Sequence, residues 1–81
     1  MATITLSPRP PVAGQSLTIC YEGGPYPVTL GLDWRPAGTP TSVTLTAANH
    51  CQKVTVPTNA TSLAVTDPTH NAEDVATVIS H

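Results

Sequence analysis

Val28-Thr29-Leu30-Gly31-Leu32-Asp33-Trp34-Arg35 alternates large apolar residues with small or polar ones over its whole length. A period of two is the spacing of side chains along one face of a β-strand, and no helical spacing brings Val28, Leu30, Leu32 and Trp34 onto a common face. Pro36-Ala37-Gly38-Thr39-Pro40 then stops the run, because proline cannot donate to a ladder and glycine weakens one. The segment reads as a strand with one buried face, and its phase assigns Trp34 to the core.

Six weaker runs surround it. Ile4 and Leu6 alternate with Thr3 and Thr5 up to the block Pro8-Arg9-Pro10-Pro11. Leu17, Ile19 and Tyr21 alternate with Thr18 and Cys20 ahead of the turn Glu22-Gly23-Gly24-Pro25. Val43, Leu45 and Ala47 form a fourth run, and residues 52–56, with Val54 and Val56 on one side, a fifth that Pro57 ends. Leu63 and Val65 mark a sixth, closed by Asp67-Pro68, and residues 75–79 a seventh on the spacing of Val75, Thr77 and Ile79. Threonine is the commonest residue, at fourteen of 81, and nine prolines interrupt the chain. Both disfavour helix, so the chain is expected to be all-β. Seven short strands with turn signals about every eight to twelve residues predict a single antiparallel β-sandwich over residues 1–81, with a five-stranded barrel as the competing architecture. No segment recurs at a fixed period.

Charge bounds the function. Charged residues make up 10% of the chain and the net charge is −2, which supplies no basic footprint for nucleic acid or an anionic membrane. No apolar run is long enough to span a bilayer as a helix. At 40% hydrophobic residues, composition is also far from that of a disordered chain.

The order and spacing of these runs resemble an immunoglobulin-like or fibronectin type III-like domain, of the kind found in phage decoration or tail proteins and in bacterial surface proteins. The first three strands then correspond to A, B and C, followed by C′ or D, then E, F and G. Two features depart from the family. Cys51 falls near the start of the E-like strand, where immunoglobulin domains usually bridge B to F, and Leu63-Ala64-Val65-Thr66 lacks the tyrosine of a tyrosine corner. The resemblance makes B and E neighbours in one sheet, and parity places Cys20 and Cys51 on the face away from the core. A cross-strand disulfide on an outer face is therefore expected, with two free thiols as the alternative.

A disulfide implies an oxidising location. Met1-Ala2-Thr3-Ile4 shows neither a basic nor an apolar leader region and runs straight into a strand. The expectation is either a processed fragment of an exported protein or a cytoplasmic product released by lysis, as a virion component is.

Candidate chemistry is sparse. Asp67-Pro68-Thr69-His70-Asn71-Ala72-Glu73-Asp74 is oxygen-rich, but its spacing matches no calcium loop, and turn chemistry accounts for Asp67 and Asn71. His50, His70 and His81 are scattered, and Ser16, Ser42, Ser62 and Ser80 lack flanking elbow glycines. Glu73 and Asp74 face opposite sides of a strand. No catalytic residue, metal ligand or cofactor is assigned, and the chain is read as a non-enzyme. Tyr26, between Pro25 and Pro27, is the expected exposed ring, and Asn59-Ala60-Thr61 matches a glycosylation sequon.

What remains is a structural or interaction module, a component or decoration of a repeating assembly such as a phage capsid, a virion or a cell-surface structure. Protein partners or self-association are expected, with Pro10 and Pro11 as candidate contacts. The alternative is a carbohydrate-binding module of a larger secreted protein, using Tyr26 to hold a glycan.

Overall fold

The structure, a computed structural model, describes residues 3–67 and 72–80. Seven strands follow in chain order: β1 (Thr3–Ser7), β2 (Ser16–Glu22), β3 (Val28–Arg35), β4 (Ser42–Leu45), β5 (Cys51–Thr55), β6 (Ser62–Asp67) and β7 (Ala72–Thr77). They form two antiparallel sheets, β1-β2-β5 and β4-β3-β6-β7. The expected all-β sandwich is the fold observed.

Alternation built the core. Leu17, Ile19 and Tyr21 of β2 and Val28, Leu30, Leu32 and Trp34 of β3 are buried, and their sequence neighbours face outward or lie at the margin. Leu6, Leu45, Val56, Leu63 and Val65 complete the interior from both sheets. Trp34 sits in the core as its phase requires, and its indole Nε1 donates to the Pro40 carbonyl at 2.7 Å. That bond folds the β3–β4 loop under the sandwich. There Gly38 meets Pro57 so closely that a Cβ would lie 2.4 Å from Pro57 Cγ.

Two runs differ from the sequence reading. β4 ends at Leu45, so Ala47 lies outside it, in the turn where Thr46 and Asn49 bond to each other. β7 starts earlier than predicted and lies in the opposite phase: Ala76 and Val78 are buried, whereas Val75 and Ile79 are 58% and 45% exposed. The physical reason lies in residues 8–13, which leave β1 and cross to the edge of β7. Ile79 donates to the Pro11 carbonyl, Ala13 donates to the Ile79 carbonyl, and Val12 pairs with Ile79 in parallel. These bonds hold Ile79 at the sheet edge beside the crossing, with Ala76 and Val78 on the core side.

Cys20 and Cys51 stand directly opposite in the β2–β5 register and form a disulfide on the outer face. The backbone bond from Tyr21 N to His50 O makes the next pair a hydrogen-bonded one, so the cysteines occupy a close, non-hydrogen-bonded position.

The Cys20–Cys51 link spans 31 residues, and its removal by Cys20→Ser with Cys51→Ser is expected to lower stability by about 3–4 kcal/mol. Urea unfolding of the variant against the oxidised parent measures it. Gly38→Ala forces Pro57 or the loop to shift, and thermal unfolding should show a loss of ~1–3 kcal/mol.

Candidate functional site

Asp67 closes β6 and is the one buried charged residue among the described residues. Tyr21 of the other sheet donates its hydroxyl to Asp67 Oδ2 at 2.5 Å, so the bond crosses the sandwich. Tyr26 stands over this pair. Its hydroxyl donates to the Tyr21 carbonyl at 2.5 Å, and its ring meets the Tyr21 ring edge-on with centroids 6.0 Å apart. The turn composition around Tyr26 predicted an exposed ring, but this ring is partly buried and its polar end is spent within the molecule. At an interplanar angle of 83° the two rings meet edge to face, which ties the Tyr26 ring to the Tyr21 ring.

The Tyr21 phenol is pushed up to about 12 from its ordinary 10, first by burial and then by its hydrogen bond to Asp67 and the charge there. A hydrogen bond donated to a carboxylate holds the proton on the phenol.

The oxygen-rich segment divides. Asp67 is engaged by Tyr21, Asp74 is held by Arg9 at 2.6 Å, and residues 68–71, with His70, lie outside those described. Among the described residues no three His, Cys, Asp or Glu side chains converge on one point. His50 Nε2 lies 3.3 Å from Glu22 Oε1 at the exposed end of β2, and His81 is outside the described residues.

Pro10 is exposed, but Pro11 is fully buried, which removes it from the candidate contacts. As the chain passes from one sheet to the other, the Pro11 side chain is carried inward while its carbonyl caps Ile79. Arg9 reaches the edge of β7. Besides Asp74, it donates to the Val75 carbonyl at 3.2 Å, covering an outward-facing acceptor on β7.

At the opposite end from Tyr26, an open depression of about 440 Å³ is lined by Ala13, Gly14, Gln15, Thr58, Asn59, Ala60, Thr61 and Ser80. Its polar groups are amides and hydroxyls, with no charge and no aromatic ring. The sequon residue Asn59 lies in this wall and is exposed. Sequence reading missed the site because Gln15, Thr58 and Ser80 come from three separate parts of the chain. No family model, curated protein or solved structure matches this chain.

The raised Tyr21 pKa fixes an alkaline signature. Below pH 10 the phenol is neutral in both states and its contribution is complete. As pH rises from 10 through about 12, the unfolded phenol ionises first and stability falls. Urea unfolding of wild type and Tyr21→Phe across this window should show a decline in the wild type that the variant lacks.

Proposed function

We propose that this chain is a non-enzymatic structural and interaction module, a component or decoration of a repeating assembly such as a phage virion or a cell-surface structure. The observation that carries this reading is the chemistry of the outer faces. On the three-stranded sheet these are Thr3, Thr5, Ser7, Thr18 and Thr55 around the disulfide, with Lys53 and Glu22 as the charges. On the four-stranded sheet, Gly31, Ala64 and Thr66 lie between strands in register, with Asp33 paired to Arg35 at 3.1 Å and Glu73 and Val75 exposed beside them on β7. A freely soluble small domain normally carries a quarter or more of charged surface residues, and faces of mostly small side chains with few charges suit close approach of another protein.

Two observations support the finer reading. The strand order β1-β2-β5 and β4-β3-β6-β7 corresponds to A-B-E and C′-C-F-G of a fibronectin type III-like sandwich. The disulfide, joining neighbours within one sheet, suits an oxidising medium, hence a virion or the extracellular surface.

The neutral depression favours a second reading, a carbohydrate-binding module. Amides and hydroxyls at Gln15, Thr58, Asn59, Thr61 and Ser80 match the hydrogen-bonding groups of an uncharged sugar better than they match any ion.

Sedimentation and non-reducing mass measurement of the protein from its native source test the first reading. A chain short of two hydrogens and recovered in a large particle is the expected result. A chain that migrates free and is retained on a polysaccharide column overturns it. Loss of that retention in Gln15→Ala with Asn59→Ala establishes the sugar site.

A further inference from the structure

A sandwich of two open sheets has four edges, and their treatment in this molecule is unequal. Strand ladders alternate between hydrogen-bonded and non-hydrogen-bonded pairs, so bonds at one position reveal which residues of an edge strand face outward. On β7 the outward residues are Glu73, Val75, Thr77 and Ile79: Arg9 meets the Val75 carbonyl, residues 11–13 meet Ile79, and the exposed Glu73 adds a charge. On β1 the outward residues are Ile4 and Leu6. Leu6 is buried, and Pro8 follows the strand at once. On β5 they are Cys51, Lys53 and Thr55, with the exposed Lys53 at the centre.

The β4 edge is different. Leu32 donates to the Thr41 carbonyl, which directs Val43 and Leu45 toward β3 and leaves the N–H and C=O groups of Ser42 and Thr44 facing outward. Both residues are exposed, and among the described residues no strand pairs with this side. Between Arg35 and Lys53 the chain has no Asp, Glu, Lys or Arg. Val43, between the two outward residues, keeps an apolar side chain only partly buried against the core.

We infer that β4 pairs antiparallel with β4 of a second copy of this chain, joining two four-stranded sheets into one of eight strands. The register follows from the backbone. Ser42 faces Thr44 of the second copy and Thr44 faces Ser42, each as a hydrogen-bonded pair, with Val43 opposite Val43 on the two-fold axis. The edge is thus complementary to itself. The same operation on β5 would set Lys53 against Lys53, and like charges directly opposite are destabilising. A four-residue edge makes a small interface at the weak end of specific contacts, so association is concentration-dependent. The inference names the contact surface for the assembly reading and rests on it.

Sedimentation equilibrium of the oxidised protein from roughly 10 μM to 1 mM tests it, bracketing the affinity expected of so small a contact. The average mass should climb from one chain toward two. Thr44→Pro removes an outward N–H that no β3 group uses, a position where an edge strand tolerates proline, so this variant should fold and remain a monomer. Val43→Cys places two thiols opposite each other on the axis. Mild oxidation should yield a covalent dimer linked between the introduced residues, with Cys20–Cys51 intact by peptide mapping. Three results overturn the inference: a wild type of single-chain mass over the whole range, association undiminished in folded Thr44→Pro, or no crosslink at position 43. If any of these occurs while the protein still sediments in its native particle, the edge is wrong and the assembly reading stands. A β4-dependent dimer recovered free from its source reverses that outcome.

Discussion

The hydrogen bond from Tyr21 to Asp67 ties one sheet to the other through the interior. A carboxylate in an apolar core is costly unless it is bonded, and each member of the pair belongs to a different sheet. The bond therefore fixes more than its own two residues. Sliding β2 or β6 by one position would turn Tyr21 or Asp67 outward and bury a neighbour in its place, so the pair selects a single register for both strands. Tyr26 adds to this by bonding the Tyr21 carbonyl, which holds the β2–β3 turn against the same point. Apolar burial supplies the driving force for the sandwich. The polar pair supplies a reason for one alignment of its sheets.

Where the sequence carried a strong local contrast, the fold could be read from it. In β3 every inward residue is large and apolar and every outward one is small or polar, so phase and burial agree along its length. The disulfide was legible once β2 and β5 were taken as neighbours, because parity alone set both cysteines outward. β7 had no such contrast. Ala76 and Val78 point inward and Val75 and Ile79 outward, and the larger set suggested the wrong face. The deciding constraint, the strap of residues 8–13 beside β7, lies more than sixty residues away in the chain. Asp67 was read as a turn residue for the same reason. Its donor is 46 residues distant, and nothing local distinguishes a buried acid from a turn acid.

The candidate sites divide along the same line. Tyr26 and Pro11 stand in turn-like, proline-rich stretches that usually lie on the surface, and both are drawn inward by partners on other strands. The neutral depression has no signature because it is assembled from ordinary loop residues. The outer faces carry few charges and mostly small side chains, and which of these lie together is legible only once the strand order is known.

Arg9 and the strap take on a further meaning beside an open β4. β7 and β4 are the two edges of one sheet. Were both open, each copy could add a strand partner at either side, and heterologous pairing of β7 with β4 would propagate into an unbounded sheet. With Arg9 on the Val75 carbonyl and residues 11–13 on Ile79, part of the β7 edge is already bonded, whereas the proposed β4 pairing would be self-complementary and close after one addition. On that proposal, Arg9 and the proline-rich crossing would favour a closed two-fold pair over a fibre.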